Sequence, residues 1–368
     1  MGNSCPAANI INKERKKGTM KKFLFCVLLC AFLLCGCSSS KEIDDLAYVT
    51  AIGIDEGENE NLLITFVTAI PSNISSDKGG GGEPVACSSI QSTNVFTASD
   101  KISGKLNRKI DFSHCRLIAF SQEIAKKGLG KFKKTLLNEK SFRPNTLTVV
   151  TKGKTSEFFK KSSSAFDTNP AKYFELMFSG YGSANSVECT IKDFSGGQQS
   201  ILPLADENGA NGCVVIENDR LTAVLDEEQI TLYKLLSGKK LHSYIDFKED
   251  GAILSLNQEK APDINVKPEY KLKISVTLYL NGELISENKT LSHKKFINKI
   301  KKQCVEFLEY TARDLNCDVL SLGKMSRPRF ATLDEYKNYN PEKRYKDAEF
   351  EVNIVYSDLK TGERNLRL

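Results

Sequence analysis

The chain has 368 residues, of which 40% are hydrophobic and 27% are charged, as in an ordinary globular protein. It contains 52 lysines and arginines against 46 aspartates and glutamates. Residues 1–36 hold six of those bases and one of those acids, so the remaining 332 residues carry 46 against 45. This nearly neutral balance argues against a nucleic-acid partner, and the length allows two or three domains.

The start of the chain has the pattern of a targeting signal. Lys21 and Lys22 precede an apolar run from Phe23 to Leu34, and the small residue Gly36 follows. These features are typical of a secretory signal peptide. The run is about a dozen residues long, whereas a membrane-spanning helix needs roughly 20. Because Met20 begins a complete signal by itself, residues 1–19 are either a misassigned start or a long basic leader.

The residues Leu34, Cys35, Gly36 and Cys37 resemble the lipobox of bacterial lipoproteins. In that motif the cysteine thiol receives a diacylglyceryl group and becomes the mature N-terminus after cleavage. The sequence therefore predicts lipidation at Cys37, a leader and signal peptide at residues 1–36, and an extracytoplasmic location for the rest. The alternative is an ordinary secretion signal that contains cysteine.

Residues 37–205 are predicted to form an N-terminal α+β domain. Leu46–Asp55 and Leu62–Pro71 are rich in β-branched residues, which predicts a β-hairpin. Residues 72–84 contain four consecutive glycines without a phosphate-loop motif and are interpreted as a surface loop. We also predict strands at Arg116–Phe120 and Thr146–Val150 and helices at Asn94–Lys109, Ser121–Leu129 and Asn169–Phe178.

Residues 206–264 are predicted to form a small middle α+β domain. Ser195–Asn211 is rich in Gly, Gln, Asn and Asp and is interpreted as a linker. Gly212–Glu217 and Leu221–Val224 then predict a hairpin. Asp226 is the expected N-cap of a helix that ends at Leu236, with Gly238 just beyond it.

Residues 265–368 are predicted to form a C-terminal domain. Apolar residues alternate along Tyr270–Leu280, which predicts a strand, and Asn281-Gly282 predicts a hairpin turn into a returning strand at Leu284–Leu291. A long helix from Ser292 to Asn316 carries an apolar stripe. We interpret the stripe as packing on the hairpin, with a groove for a partner helix as the alternative. Phe350–Tyr356 predicts a last strand.

Six cysteines follow the lipobox without a CxxC motif: Cys87, Cys115, Cys189, Cys213, Cys304 and Cys317. We interpret most of them as small buried apolar residues, with one structural disulfide as the alternative. None of the three histidines lies at ligand spacing from a cysteine, so no metal site is predicted.

The sequence contains neither a GxSxG nor an HExxH motif, so an enzyme and a cofactor are not expected. His114 could act as a general base or a pH switch, but a histidine hydrogen-bonded at a turn is the favoured interpretation. The acids Asp44, Asp45, Asp55 and Glu56 lack calcium-loop spacing, and two of them flank strand ends, where acids commonly occur as turn residues.

Four stretches in a fixed order resemble the Ger(x)C family. After the lipobox come KEIDDLAYVTAIGIDEG, LNRKIDFSHCRLIAFSQEIAKKGL, CVVIENDRLTAVLDEEQITLYKLLSGK and CDVLSLGK. These proteins are the C-subunit lipoproteins of nutrient germinant receptors in endospore-forming bacteria. The resemblance covers the chain from about Cys37 to Leu368.

This resemblance implies a three-domain α+β lipoprotein on the outer face of the spore inner membrane. It would act in germination through contacts with a multi-helix A subunit and a transporter-like B subunit, without enzymatic activity. The resemblance assigns no germinant-binding residue to this chain. A solute-binding lipoprotein of a membrane transporter is the alternative function, and an envelope hydrolase is the third.

Overall fold

The structure is a computed structural model that describes residues 45–59, 61–69, 85–138, 141–165, 169–178, 186–195, 200–238, 245–249, 252–286, 293–358 and 364–367. The predicted signal peptide, the glycine-rich loop at 72–84 and the predicted cap Ser292 lie outside the described residues.

Nine strands of the described residues form the first sheet. They are β1 (Leu46–Glu56), β2 (Leu62–Ala69), β3 (Val85–Ser92), β4 (Lys109–Asp111), β5 (Leu117–Ser121), β6 (Leu147–Thr151), β7 (Ile201–Asp206), β8 (Gly209–Glu217) and β9 (Arg220–Leu225). Their order in space is β3-β2-β1-β5-β6-β7-β8-β9, with β4 paired to β1. The central strands β1, β5, β6 and β7 are parallel, and the strands on both sides of them pair antiparallel.

Helices cover both faces of this sheet. They are α1 (Val95–Leu106), α2 (Gln122–Lys127), α3 (Gly130–Asn138), α4 (Thr155–Ala165), α5 (Pro170–Leu176) and α6 (Ile191–Ser195). Along β5, Ile118 and Phe120 enter a core shared with α1, α2, α3 and α6, whereas Leu117 and Ala119 enter a core shared with α4 and α5. Successive side chains of a strand point to opposite faces, so β5 separates the two cores.

The second sheet has the order β10 (Ile245–Glu249), β11 (Ala252–Pro268), β12 (Leu272–Ser286), β13 (Glu349–Asp358) and β14 (Arg364–Arg367). Among the described strands of this second sheet, only β12 and β13 pair in parallel. The helix α7 (Glu227–Ser237) precedes this sheet, and the helix α8 (His293–Glu309) follows β12.

The predicted apolar stripe of α8 packs inside the protein. Phe296, Ile300 and Cys304 are buried in one core with Ile274 of β12 and Val352 of β13. The interpretation of the stripe as a packing face is therefore confirmed.

The same core also reaches the first sheet. Ile201 of β7 and Val215 of β8 belong to it, together with Tyr233 of α7. The neighbouring residues Leu202 and Val214 face the other side of the first sheet. The strands β7 and β8 therefore lie between one core of the first sheet and the core of the second.

The predicted linker at Ser195–Asn211 is wrong. Residues 201–206 form β7, which is buried along most of its length, and β8 already begins at Gly209. A two-residue turn joins the strands, and Gly209 has a φ of 117° that suits glycine. Pro203 lies where the register with β8 shifts, a position at which a sheet tolerates proline.

The predicted hairpin at Asn281-Gly282 is also wrong. The strand β12 continues through these residues to Ser286, pairs with β11 on one side and has β13 on the other, so the predicted returning strand does not form at Leu284. A Cβ atom on Gly282 would lie 2.2 Å from the carbonyl oxygen of Ser255. The glycine therefore permits close strand approach instead of making a turn.

Local predictions elsewhere are confirmed. The β1–β2 hairpin forms, and Ser121 caps the N-terminus of α2. Asp226 caps the N-terminus of α7 in a capping box, and this helix ends just before Gly238. The predicted α+β class is also confirmed, because helices and mixed sheets occur in both halves. The division at residues 205 and 264 stays a prediction.

A segment of short helices lies between α8 and β13. It contains a π-helical turn (Tyr310–Asp314), a 3-10 helix (Gly323–Arg329), α9 (Leu333–Tyr339), α10 (Pro341–Arg344) and a second 3-10 helix (Tyr345–Asp347). Among the described residues, no helix combines the length and the apolar character that a bilayer-spanning helix requires.

Candidate functional site

The predicted lipidation residue Cys37 and the predicted cleavage motif Leu34, Cys35 and Gly36 lie outside the described residues. Most of the other residues singled out by the sequence are described, and each of these occupies a defined place in the fold.

The carboxylate of Asp55 is buried at the end of β1. It accepts hydrogen bonds from the backbone N–H of Thr155 at 2.7 Å, from the Thr155 hydroxyl at 2.9 Å and from the backbone N–H of Ser156 at 3.1 Å. These donors belong to the first turn of α4, where backbone N–H groups lack partners within the helix. Asp55 therefore caps a helix that follows it by one hundred residues.

Gly53 belongs to the same contact. A Cβ atom at this position would lie 2.2 Å from Oγ1 and 2.7 Å from Cβ of Thr155, and 2.9 Å from a ring carbon of Phe159. Real Cβ atoms do not approach other atoms so closely, so only glycine allows α4 to lie against β1. The Gly-x-Asp pair of the first motif thus positions α4 on the sheet.

The three described acids near the first strand, Asp45, Asp55 and Glu56, do not converge as a cation site. Asp55 is used as a helix cap, and Glu56 forms an exposed ion pair with Lys127. Asp45 is exposed, and Asp44 lies outside the described residues. No cluster of three His, Cys, Asp or Glu residues with a metal-binding arrangement occurs within the described ranges.

His114 lies at an exposed turn before β5. Its ring makes an edge-to-face contact with Tyr48, with 5.0 Å between the ring centroids. Asp111 accepts a hydrogen bond of 2.8 Å from the backbone N–H of Ser113, and the N–H of Cys115 donates to the carbonyl of Phe112. The stretch therefore forms a compact turn that leads into the buried strand.

None of the six described cysteines forms a disulfide bond, and all but Cys87 are buried. Burial raises the pKa of Cys115 and of Cys304 to about 12, and it also raises the pKa of Cys317. A thiol with such a pKa is protonated at neutral pH and is a poor nucleophile. The interpretation of these cysteines as buried apolar residues is confirmed.

Asp318 of the last motif has a role similar to that of Asp55. It accepts hydrogen bonds of 2.8 Å from the N–H of Leu322 and 2.7 Å from the N–H of Gly323, at the start of a 3-10 helix. Burial of the carboxylate outweighs these bonds and raises its pKa to about 6. Sequence analysis gave this acid no role, because nothing local signals its burial.

The cavities that open at the surface of the described residues include the following two. One, of about 320 Å³, is lined in part by Arg116 and Glu175. Burial alone would raise the pKa of Glu175, but hydrogen bonds from Arg116 and Lys172 hold it below its usual value. The other, of about 420 Å³, is lined by Tyr270, Arg344 and neighbouring charged residues.

The segment from Gly323 to Arg344 is the feature that sequence analysis missed. It exposes large apolar side chains: Met325 is 47% and Leu333 is 50% exposed, and Tyr270 beside them is 91% exposed. The available signal was its composition, MSRPRF followed by EYKNYNPEKRY, which is rich in Arg and aromatic residues.

Comparison with known proteins places these motifs in a family. A sequence-family model described as the spore germination protein N-terminal domain matches residues 39–201, and a second, described as spore germination B3/GerAC like, C-terminal, matches residues 211–357. The chain belongs to the Ger(x)C family. The residues between the two matches, 202–210, include most of β7, the β7–β8 turn and the start of β8, inside the first sheet.

Relatives in the Ger(x)C family align over much of the chain. Spore germination protein A3 of Bacillus subtilis (strain 168) is 26% identical over 72% of this chain and 74% of its own length. Spore germination protein GerQC of Bacillus cereus is 22% identical over 93% of this chain and 99% of its own length. The crystal structure of the GerBC protein matches the fold with a TM-score of 0.52 at 12% identity, covering 84% of this chain and 96% of that one.

Proposed function

We propose that this chain is the lipid-anchored C subunit of a spore nutrient germinant receptor and works by contacts with membrane A and B subunits, without catalysis. The observation that carries the proposal is the order of the two spore germination family matches along residues 39–357. The first match begins two residues after Cys37, so the predicted lipidated residue directly precedes the region that the family model matches.

The anchor would hold the folded part next to its membrane partners. Acyl chains on Cys37 would raise the effective concentration of the subunit at the membrane. Two or more acyl chains bind a membrane stably, whereas a single acyl chain binds reversibly. We place the subunit on the outer face of the spore inner membrane.

Two features of the folded part support docking over catalysis or solute capture. The conspicuous acids Asp55 and Asp318 cap helices, and five described thiols are buried. A solute-binding lipoprotein would have two similar lobes around a cleft. Here a nine-stranded mixed sheet and a five-stranded sheet of different topology share one core.

Replacement of Cys37 by serine tests the anchor and the assembly together. We expect wild-type protein in the spore membrane fraction with an acylated cysteine at its N-terminus, and the variant in the soluble fraction with less co-isolated A and B subunit. The matched control is Cys35→Ser, which removes a neighbouring thiol and leaves in place the Cys37 thiol that would receive the lipid. Wild-type-like membrane retention of the Cys37 variant, together with an unmodified wild-type N-terminus by intact mass, would refute the proposal.

A further inference from the structure

The segment Gly323–Arg344, together with Tyr270, forms an exposed surface that we call the aromatic–arginine surface. Of the five large apolar side chains that are exposed in the described residues, three belong to it. Its apolar and aromatic members are Tyr270, Met325, Phe330, Leu333, Tyr336 and Tyr339. Tyr, Phe, Met and Arg are the residues enriched at the centres of protein interfaces, so this composition differs from that of an ordinary solvated surface.

The helix α9 within this surface has no fully buried residue: Tyr339 packs half-buried against the core of the second sheet, and Leu333 lies exposed. A capping box holds its first turn, in which the N–H of Glu335 donates to the Thr332 hydroxyl at 3.1 Å and the Glu335 carboxylate accepts from the backbone. Most helices in proteins are stabilised by packing an apolar face. This helix instead presents Leu333 to solvent, which leaves an apolar contact available for another molecule.

The aromatic rings are fixed in place before any partner arrives. The Phe330 ring lies 5.6 Å from that of Tyr336 and 5.3 Å from that of Tyr339. The Tyr339 hydroxyl donates to the carbonyl of Glu269 at 2.8 Å, which ties the surface to the end of β11. A surface with rigid aromatic side chains loses little conformational entropy on binding.

Three arginines on this surface are oriented by neutral groups. Arg344 donates to the carbonyls of Tyr339 and Tyr270, both at 2.9 Å, and lies over the Tyr339 ring. Arg327 donates to the carbonyl of Phe330, and Arg329 donates to the side-chain oxygen of Asn265 at 2.9 Å. Within the described residues none of the three forms an ion pair with a carboxylate, so their positive charges are oriented but uncompensated.

Oriented guanidinium groups match carboxylates in geometry and in charge. An anionic lipid surface also attracts arginine, but Asp334, Glu335 and Glu342 lie exposed in the same segment and a uniformly negative membrane would repel them. A protein segment can place its carboxylates opposite the arginines alone. The mixed charges therefore favour a protein partner.

We propose that the aromatic–arginine surface docks an extracytoplasmic segment of another protein, in which Asp or Glu residues alternate with apolar side chains. The proposal rests on the proposed function for the extracytoplasmic location and for the source of that segment, which we expect to be a membrane subunit of the receptor.

Photo-cross-linking identifies the occupant. A benzophenone amino acid at Leu333 in the full chain, expressed in its native host, is compared with the same probe at Val224, which is 48% exposed on β9 of the first sheet. We expect position 333 to form an adduct with an acidic, apolar-bearing peptide, and position 224 to form about tenfold less, as expected for a site outside the interface. Lipid adducts only, no protein adduct, equal adducts at both positions or a peptide without acids would overturn the proposal.

Opposite charges introduced at position 333 test the sign of the charge on the partner segment. We expect Leu333→Asp to co-isolate about tenfold less partner than Leu333→Lys, because it brings a negative charge to an acidic segment. A folding defect does not explain this result, since Asp near a helix N-terminus stabilises the helix and Lys does not. Equal or reversed recoveries would overturn the proposal.

The two proposals fail separately. Suppose that wild-type protein co-isolates with the A and B subunits, but Leu333→Asp and Leu333→Lys recover equal amounts of partner and position 333 cross-links no more than position 224. The docking surface is then wrong and the receptor function stands. If position 333 cross-links an acidic segment of a protein that is no receptor subunit, and wild-type protein co-isolates with neither the A nor the B subunit, the surface is right and the receptor function is wrong.

Discussion

The backbone N–H of Thr155 donates a 2.7 Å hydrogen bond to the carboxylate of Asp55, although one hundred residues separate them. This contact joins the end of the first strand to the start of α4, and it explains a motif that the sequence suggested only as a turn. An acid from a distant strand replaces the local cap that α4 would otherwise need.

Replacing Asp55 tests this long-range cap. We expect Asp55→Ala to lower the free energy of unfolding by about 2–4 kcal/mol, because it leaves buried helical N–H groups without acceptors, and Asp55→Asn to lower it less. Urea denaturation followed by circular dichroism measures both. The control is Glu56→Gln, which removes an exposed ion pair with Lys127 and is expected to cost less than about 1 kcal/mol. A loss for Asp55→Ala no larger than for the control would contradict the cap.

Gly53 gives a second test at the same contact. A methyl group there would clash with Thr155 and Phe159, so we expect Gly53→Ala to destabilise the protein by about 1–3 kcal/mol or more. Gly104 is the matched control, since a Cβ atom on this residue of α1 meets nothing within 4 Å. Gly104→Ala should stabilise by up to about 1 kcal/mol through helix propensity. Equal thermal shifts for the two variants would show that α4 does not lie against β1.

Much of the fold was predictable where local signals and tertiary contacts agree. The β1–β2 hairpin, the α2 and α7 caps and the α8 stripe each follow from side-chain patterns within one element. The prediction of a hairpin at Asn281-Gly282 was wrong because the strands on both sides of β12 impose an extended backbone, which overrides the turn preference of this dipeptide. The prediction of a linker was wrong because the polar residues around the β7–β8 turn dominate the composition of a stretch that also contains a short buried strand.

The site was less predictable than the fold. The roles of Asp55 and Asp318 depend on partners that come together only in the folded chain, and a list of acids does not reveal them. The aromatic–arginine surface has no period and no motif, so its composition, rich in Arg and aromatic residues, was the signal that the sequence offered, and the exposure of Leu333 and Tyr270 in the structure singles it out.

Asn281 provides a direct test of the extended strand. In a hairpin turn this residue would need a positive φ, which β-branched side chains avoid, whereas a strand accepts them well. We expect Asn281→Thr to change the free energy of unfolding by less than about 1 kcal/mol, as for substitutions within a strand. A loss well above that value, measured by urea denaturation, would favour the turn.

Tyr356→Phe tests the same geometry, because the Tyr356 hydroxyl donates to the carbonyl of Gly282 at 3.0 Å. Removal of this hydroxyl should lower the free energy of unfolding by about 1 kcal/mol.

Asp318 makes the stability of the protein depend on pH. Burial raises its pKa to about 6, so the folded state holds the proton more tightly than the unfolded chain, in which the pKa is near 3.8. Its stabilising contribution is therefore complete below about pH 4 and is lost as the pH rises through about 6. The size of this loss is of the order of 3 kcal/mol.

The variant Asp318→Asn isolates this contribution, since asparagine does not titrate. We expect the unfolding free energy of the wild type, relative to the variant, to fall between pH 4 and pH 7. Parallel denaturation curves at the two pH values measure the difference and cancel the effect of other acids, such as Asp206, whose pKa is lowered by the bond from Lys152 despite burial. A relative stability that stays constant, or that rises with pH, would show that the hydrogen bonds from Leu322 and Gly323 outweigh burial and keep Asp318 ionised.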